Sequence, residues 1–474
     1  MLGLPQRYRR RNGRLVMPLQ FIDNSSIDKK TRTLIRSHVA KGKNLGRTIH
    51  RPSRYARRRQ VAASTVSASE PLSNTEPEAY NDQNPESSLS IQGHIQGDLS
   101  RLFPFDTEVI TYMNVAAYPP QLSRTVINAT GPRLFLQYAF IDEAFAMSVT
   151  AAVSLPVTHQ ETTEALSHLS RSMRLVNQRL AGEQKVALSD TTLGAVIVMV
   201  QLERLLGYHR YALIHFDGLQ KIIALRGGIV TLFQENPGIA QKALRADFDF
   251  ALQFGSPTIY DGECVLGKDT LNWLHEKYRE NRAVSSDTSA FIVCDPDLRR
   301  VYEDISMLAW LVDDNAIHGI RVDDYDFHNL LLLVGYRLLK VRLLNSSIKS
   351  VNKLELLLHL GLAALMSRFF ATLGVKALDV LLLRRCIISA ILEKHYDNKE
   401  EQELVLWLLL IAKTSVFRDE DEDIWLIPKV SQVTTQLGLS TWDHVSTTTR
   451  KFPWVRLFSD DMAQTLWNQI DSFP

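Results

Sequence analysis

Apolar residues recur at intervals of three and four positions along most of the chain from about residue 101 onward. This spacing places side chains on one face of an α-helix. Proline, glycine and clusters of aspartate and asparagine interrupt the pattern and mark helix ends. Strict alternation of apolar and polar residues, the pattern of a half-buried strand, is nearly absent. The pattern predicts helices over residues 133–153, 161–181, 189–206, 209–226, 237–254, 296–313, 325–344, 352–373, 376–395 and 399–416.

The body of the chain, residues 101–474, is therefore predicted to be all-α, with helices that pack pairwise around one continuous core. No repeat of fixed period is found, so an irregular multi-helix domain is favoured over a regular solenoid. The longest uninterrupted apolar run is LVLWLLLIA at 404–412. A membrane span needs about 18–20 such residues, so this run predicts a buried helix. We expect no membrane partner.

The stretch YALIHFDGLQKIIALRGG, residues 211–228, shows how local signals define one helix. Its apolar side chains share one face at Ala212, Phe216, Leu219 and Ile223. Two glycines, Gly227 and Gly228, then supply the left-handed conformation that commonly ends a helix. These features predict packing and no chemistry.

Charge divides the chain into segments of opposite sign. The net charge is +2, but residues 1–60 hold 17 Lys and Arg against 2 Asp, a net charge of +15. The other 414 residues carry a net charge of −13. A basic segment on an acidic chain points to nucleic acid, a membrane surface or nuclear import for that segment alone. The rest of the chain, taken as a whole, is excluded as a nucleic-acid-binding surface.

Composition separates the chain into three regions. Residues 1–60 form the basic arm, and residues 101–474 form the body. Residues 61–100 contain no Lys or Arg, six acidic residues and much Ser, Asn and Pro. Such a stretch buries too little apolar surface to offset its ordering entropy, so we predict a disordered linker.

The basic arm carries two dense arginine clusters of the nuclear-import type, RYRRR at 7–11 and RPSRYARRR at 51–59. Between them, SSIDKKTRTLIRSHVAK (25–41) has the pattern of a short amphipathic helix, which Gly42 ends. The candidate residues for import or nucleic-acid contact are Arg7, Arg9, Arg10, Arg11, Lys29, Arg32, Arg36, Lys41, Lys43, Arg47, Arg51, Arg54, Arg57, Arg58 and Arg59. We rank a nuclear address first and direct contact with DNA phosphates second, because basic runs indicate location more often than binding.

Signatures of enzymes are weak. Three widely spaced cysteines argue against a disulfide framework and indicate a reducing compartment. HEKYR (275–279) resembles a zinc-protease motif but has Arg279 in place of the second histidine, so a surface helix is expected. GKNLGR (42–47) lacks the spacing of a phosphate-binding loop.

Acidic clusters at 313–314, 323–326 and 419–423 invite comparison with all-α enzymes that bind magnesium diphosphate. None shows paired aspartates followed by a third one helical turn along, and octahedral magnesium needs carboxylates that converge from one face. Solvated loops and helix N-terminal charges explain the clusters more simply. We therefore expect no enzyme activity, no cofactor and no bound metal.

The body resembles the fungal-specific transcription factor domain, the helical regulatory region found behind binuclear zinc clusters in many fungal regulators. The second of four stretches is the most specific, because its helix pair leads into Gly-Leu and then Leu-Arg-Gly-Gly. In the family's order, the stretches are FIDEAFAMSVTAAVSL (140–155), LGAVIVMVQLERLLGYHRYALIHFDGLQKIIALRGGI (193–229), NPGIAQKALRADFDFALQFG (236–255) and KFPWVRLFSDDMAQTLWNQI (451–470).

The arm departs from the zinc-cluster members of that family. A binuclear zinc cluster needs six closely spaced cysteines, and this chain has three, none before residue 264. The zinc-dependent contact with DNA therefore does not carry over. The stretch FIDNSSIDKKTRTLIRSHVAKGKN (21–44) looks like a segment of members that lack the cluster. The resemblance implies a regulator in the nucleus whose body binds protein partners or an effector, and it assigns no ligand residue.

Three hypotheses follow. The first is a fungal nuclear transcriptional regulator without a zinc cluster, whose partners are the import machinery, DNA through residues 1–60, and proteins that bind the body. The second is an α-helical adaptor or co-regulator that never contacts DNA. The third and least favoured is an all-α enzyme that processes diphosphates.

Overall fold

The structure is a computed structural model that describes Leu122 and residues 125–127, 137–158, 163–281, 295–344, 352–370, 380–392, 395–417 and 422–471. The basic arm and the linker, with their predicted helix and predicted disorder, lie outside these residues. The all-α prediction is confirmed for the described part of the body, where almost every residue is helical. Two short parallel strands, Val126–Ile127 (β1) and Val322–Asp323 (β2), pair with each other.

The helices follow one another with short connections. A helical segment at 137–141 precedes the first numbered helix, and a 3-10 helix covers Lys268–Leu271. In chain order, the α-helices are α1 Glu143–Thr158, α2 Thr163–Leu180, α3 Gln184–Ala187, α4 Asp190–Leu205, α5 His209–Leu225, α6 Ile229–Glu235, α7 Pro237–Phe254, α8 Gly262–Leu266, α9 Asn272–Asn281, α10 Pro296–His318, α11 Asp324–Val341, α12 Lys353–Phe369, α13 Leu381–Leu392, α14 Lys399–Ser415, α15 Asp423–Gln436, α16 Trp442–Thr449 and α17 Arg456–Asp471.

Each of the ten predicted helices has a counterpart, but several ends differ. The prediction for 237–254 matches α7 in full, because Asn236 caps its first turn and Gly255 ends it in the left-handed conformation. The prediction for 296–313 stops five residues before the end of α10. Three helices between residues 423 and 471 were not predicted. One of them, α15, contains Pro428, which reads as a helix breaker in sequence.

The predicted end of the helix at 211–228 is confirmed. Gly227 and Gly228 have φ values of 109° and 96°. The Gly228 N–H donates to the carbonyl oxygen of Ile223 at 2.9 Å. This bond from beyond the helix end satisfies a carbonyl of the last turn.

The core is in two parts, so the prediction of one continuous core is wrong in this respect. The N-terminal core is the cluster of buried side chains from α1, α2, α4 and α5, and it includes Phe145, Leu193 and Phe216. The C-terminal core is the larger cluster from α8 onward, and it includes Leu331 and Trp407. Helix α7 contributes to both. Its residues Ile239, Ala243 and Phe250 pack in the N-terminal core, and Leu244, Phe248 and Leu252 pack in the C-terminal core.

Candidate functional site

The candidate residues of the basic arm, from Arg7 to Arg59, all lie outside the described residues. Their roles in import or DNA contact therefore stay predictions. Within the described residues, charged groups are concentrated in the interior on α7, between the two cores. We call this set the polar layer, and it consists of Gln241, Lys242, Arg245, Asp247, Asp249 and Gln253.

The centre of the polar layer is a carboxylate shared by two arginines. Arg204 of α4 donates from Nη1 to Oδ2 of Asp249 at 2.8 Å. Arg245 donates from Nε to Oδ1 of the same carboxylate at 2.7 Å. All three residues are at least 95 % buried. Buried charges of this kind are tolerated only when they are paired and hydrogen-bonded, so the triad fixes α4 against α7.

The outer edges of the two guanidinium groups contact different cores. Arg204 donates from Nε to Oε1 of Gln253 at 3.3 Å and lies 4.9 Å from the ring centroid of Phe250. Arg245 donates from Nη2 to the carbonyl oxygen of Phe370, the residue that caps the end of α12. A cation at a helix C-terminus is favourable because the helix dipole is negative there. Arg245 therefore joins α7 to the C-terminal core.

Lys242 and His328 lie in the same electrostatic environment. Burial, followed by the nearby charge of Arg245, lowers the pKa of Lys242 to about 8, while Asp324 opposes the change. Burial, followed by the charges of Lys242 and Arg245, lowers the pKa of His328 well below its usual value. His328 is therefore neutral near pH 7, and Lys242 is close to its titration point. Perturbed groups of this kind gather at binding sites more often than elsewhere.

Asp247 ties the loop before α8 to the body. Its carboxylate accepts the N–H groups of Ile259 at 2.9 Å and Tyr260 at 3.0 Å, and the hydroxyl of Tyr336 at 2.8 Å. Burial raises the pKa of Asp247 although these hydrogen bonds oppose the change. Gln241 adds a further link to α11, because its amide donates to Oδ1 of Asn329 at 2.7 Å.

A second polar cluster joins α8, α9, α10 and α11. His275 lies 2.8 Å from Oδ1 of the buried Asp304, and Arg337 donates to Oδ2 of that carboxylate at 2.9 Å. Arg337 also donates to Glu263 at 2.8 Å. HEKYR lies on α9, so its predicted helix is confirmed, and its histidine pairs with a carboxylate of another helix. The cluster orients helices and fills both oxygens of Asp304.

The acidic clusters have structural partners. Asp313 accepts the N–H groups of Arg456 and Leu457 and so neutralises the start of α17. Asp323 caps α11 by accepting the Tyr325 N–H at 2.9 Å. These two agree with the predicted helix N-terminal role. Within the described ranges, no group of three His, Cys, Asp or Glu side chains is arranged to hold a metal ion.

The stretch that carries the family resemblance ends in a polar network around Asp190. Arg226, the arginine of Leu-Arg-Gly-Gly, pairs with Asp190 at the start of α4 and with Glu235 at 2.9 Å. Asn236 donates to Asp190 at 2.7 Å and to the Tyr138 hydroxyl at 2.7 Å. Burial opposes ionisation, but the bonds from Asn236 and Arg226 lower the pKa of Asp190 below its usual value. The network fixes the ends of α4, α5 and α6.

Sequence reasoning missed the polar layer. The signal was present in α7, where charged residues fall on several faces of a helix that is otherwise apolar. A helix of this kind has no solvent face for its charges, so the charges must be paired inside.

Among the helices of the described part of the chain, none has the length and apolar character needed to cross a membrane. No family model, no curated protein and no solved structure matches the chain.

Proposed function

We propose that the chain is a nuclear transcriptional regulator that lacks a zinc cluster. The basic arm provides the import signal and the contact with DNA, and the helical body binds a protein partner or an effector. The observation that carries the proposal is the charge split, +15 on residues 1–60 against −13 on the remaining 414. Because DNA repels an acidic body, contact with phosphates falls to the arm.

The internal arrangement of the body supports the regulatory part of the proposal. Two cores are joined through buried ion pairs on α7, and such pairs have strict geometric requirements. A ligand or partner that alters these pairs changes how the two cores are held together. A body built in this way suits a protein that responds to binding.

Salt dependence tests the contact with DNA. Each neutralised phosphate contributes about −0.9 to the slope of log K against log salt on duplex DNA. We expect the full chain to bind duplex DNA with a steep slope. A five-glutamine variant should bind more weakly, with a slope reduced by as much as about 4. Its substitutions replace Arg51, Arg54, Arg57, Arg58 and Arg59.

A matched control removes the same charge from the body. Five exposed basic residues are replaced by glutamine there, at Arg174, Lys185, Arg210, Lys221 and Lys340. This control should bind DNA at least as tightly as the unmodified chain. Equal affinities of the arm variant and the unmodified chain would contradict direct contact by the arm.

Nuclear import and DNA contact must be measured separately, because the arm is proposed to serve both. A chain without residues 1–60, supplied with a foreign import signal, should lose chromatin occupancy. Retained occupancy would favour the adaptor that reaches chromatin through a partner.

A further inference from the structure

The interior around α7 holds more positive than negative charge. Among the described groups there, Arg204, Arg245 and Lys242 are cationic, and Asp249 and Asp324 are their carboxylates. Asp249 is shared between two arginines, so it neutralises neither completely. We propose that a small anion with a carboxylate or phosphate group binds on α7 between the guanidinium group of Arg245 and the amine of Lys242.

Arg245 is held ready for such a ligand. Its Nε is fixed by Asp249 and its Nη2 by the Phe370 carbonyl, while the guanidinium carbon lies 4.2 Å from the ring centroid of Phe370. Its Nη1 donates to no acceptor among the described residues. An arginine with one edge fixed and the other edge open loses little freedom on binding, which favours affinity.

Lys242 lies on the same side of α7 as Arg245. Residues three apart on a helix are neighbours on its surface, with about 5–6 Å between their Cβ atoms. Lys242 retains partial exposure, whereas Arg245 is 5 % exposed. The two cations therefore form a pair that a small molecule reaches from the Lys242 side.

The surroundings favour an anion over a neutral ligand. Burial and the charge of Arg245 both destabilise the ammonium form of Lys242, whose pKa is lowered to about 8. An anion between the two cations reverses this repulsion, and the interaction is stronger here than in water because the local dielectric constant is low. The neighbouring His328 is neutral and its ring lies 6.1 Å from that of Phe370, which provides an apolar wall.

This site would be the effector site of the regulator proposed above. The binding itself does not require DNA, so it is measured independently. The five-glutamine arm variant should bind the anion as the unmodified chain does. Loss of DNA binding with retained anion binding, or the reverse, therefore identifies which proposal fails.

Thermal unfolding of the full chain tests the site with inorganic phosphate and with citrate, each at up to 10 mM. Sodium chloride keeps the ionic strength constant. We expect a saturable rise of about 2 °C in Tm. The anion with the lower midpoint identifies phosphate or carboxylate as the preferred group. The Lys242→Met variant should lose the saturable rise, and Lys221→Met, at an exposed position of α5, should keep it.

Two outcomes overturn the proposal. One is an equal rise for Lys242→Met and the unmodified chain, which is the general effect of excluded salts and means an adventitious ion only. The other is no saturable rise with either anion.

A second measurement needs no variant. Acetylation of lysines by acetic anhydride is followed by mass spectrometry with and without phosphate or citrate. Slower modification of Lys242 but not of Lys221 supports the site, and unchanged modification of Lys242 at saturating anion overturns it.

Discussion

The two cores of the body are built from different side chains. The N-terminal core is rich in alanine, with Ala144, Ala195 and Ala212 on three successive long helices. The C-terminal core is dominated by leucine and contains Trp407 and Trp467. Small side chains let helix axes approach closely, whereas large ones fill wider spaces. The comparison teaches that one chain has solved its packing twice, with α7 as the helix common to both solutions.

The boundary between the cores is polar, although both cores are apolar. Hydrophobic burial is non-directional, so it favours compaction without choosing one arrangement of two clusters. Hydrogen-bonded charges have strict geometry, and they occur on α7 where the two clusters meet. We infer that the polar layer sets the alignment of the cores, while the apolar clusters supply most of the stability.

The largest effect is expected from Asp249→Ala. The substitution removes the carboxylate that two buried arginines share, and it leaves both cations without their acceptor. Removing one partner of a buried ion pair costs about 3–5 kcal/mol. The free energy of unfolding in urea, measured at pH 7, should fall by that amount.

Glu276→Ala provides the control for this prediction, because Glu276 is exposed on α9. It should change the free energy of unfolding by less than about 0.5 kcal/mol. A loss for Asp249→Ala no larger than that of the control would show that the polar layer does not hold the cores together.

A smaller effect, of opposite rank in the two cores, is expected from glycines that face aromatic rings. A Cβ at Gly361 of α12 would overlap the ring of Trp407, and one at Gly194 of α4 would lie 2.7 Å from the ring of Phe145. Trp407 cannot move aside easily, because its Nε1 donates to the Pro453 carbonyl at 3.0 Å. Gly361→Ala should therefore cost about 1–3 kcal/mol, and Gly194→Ala should cost less.

Urea unfolding of both glycine variants checks this ranking. Alanine is the better helix former by about 1 kcal/mol, and this gain is the same at both sites. The difference between the two variants therefore reports packing alone. A larger loss at Gly194 would mean that the alanine-rich core is the less adaptable one.

The sequence predicted the helices better than their assembly. Periodicity and caps located α7 in full, because Asn236, Pro237 and Gly255 are local signals. The division of the core was not predictable, because it depends on which faces of α7 meet distant helices. The partner of Arg245 is the carbonyl of Phe370, 125 positions away. Pairing over such a separation leaves no local pattern, so the charges of α7 were visible and their partners were not.

The smallest predicted effect concerns pH and distinguishes one carboxylate beside each core. Beside the N-terminal core, Asp190 is ionised more readily than in the unfolded chain, because the bonds from Asn236 and Arg226 outweigh burial and lower its pKa below 3.8. Beside the C-terminal core, burial raises the pKa of Asp247 above 3.8. The two groups therefore contribute to stability in opposite pH ranges.

The sign follows from proton linkage. A lowered pKa gives Asp190 a contribution that is present above pH 3.8 and is lost as pH falls through the pKa of the folded state. A raised pKa gives Asp247 a contribution that is present below pH 3.8 and is lost as pH rises through the folded-state pKa. Between pH 3 and 6, the cost of Asp190→Asn should increase with pH, and the cost of Asp247→Asn should decrease. Urea midpoints of the two variants and the unmodified chain, taken across this range, provide the measurement. Parallel curves would mean that the two carboxylates have the same electrostatic environment, and the contrast between the surroundings of the two cores would then be limited to their packing.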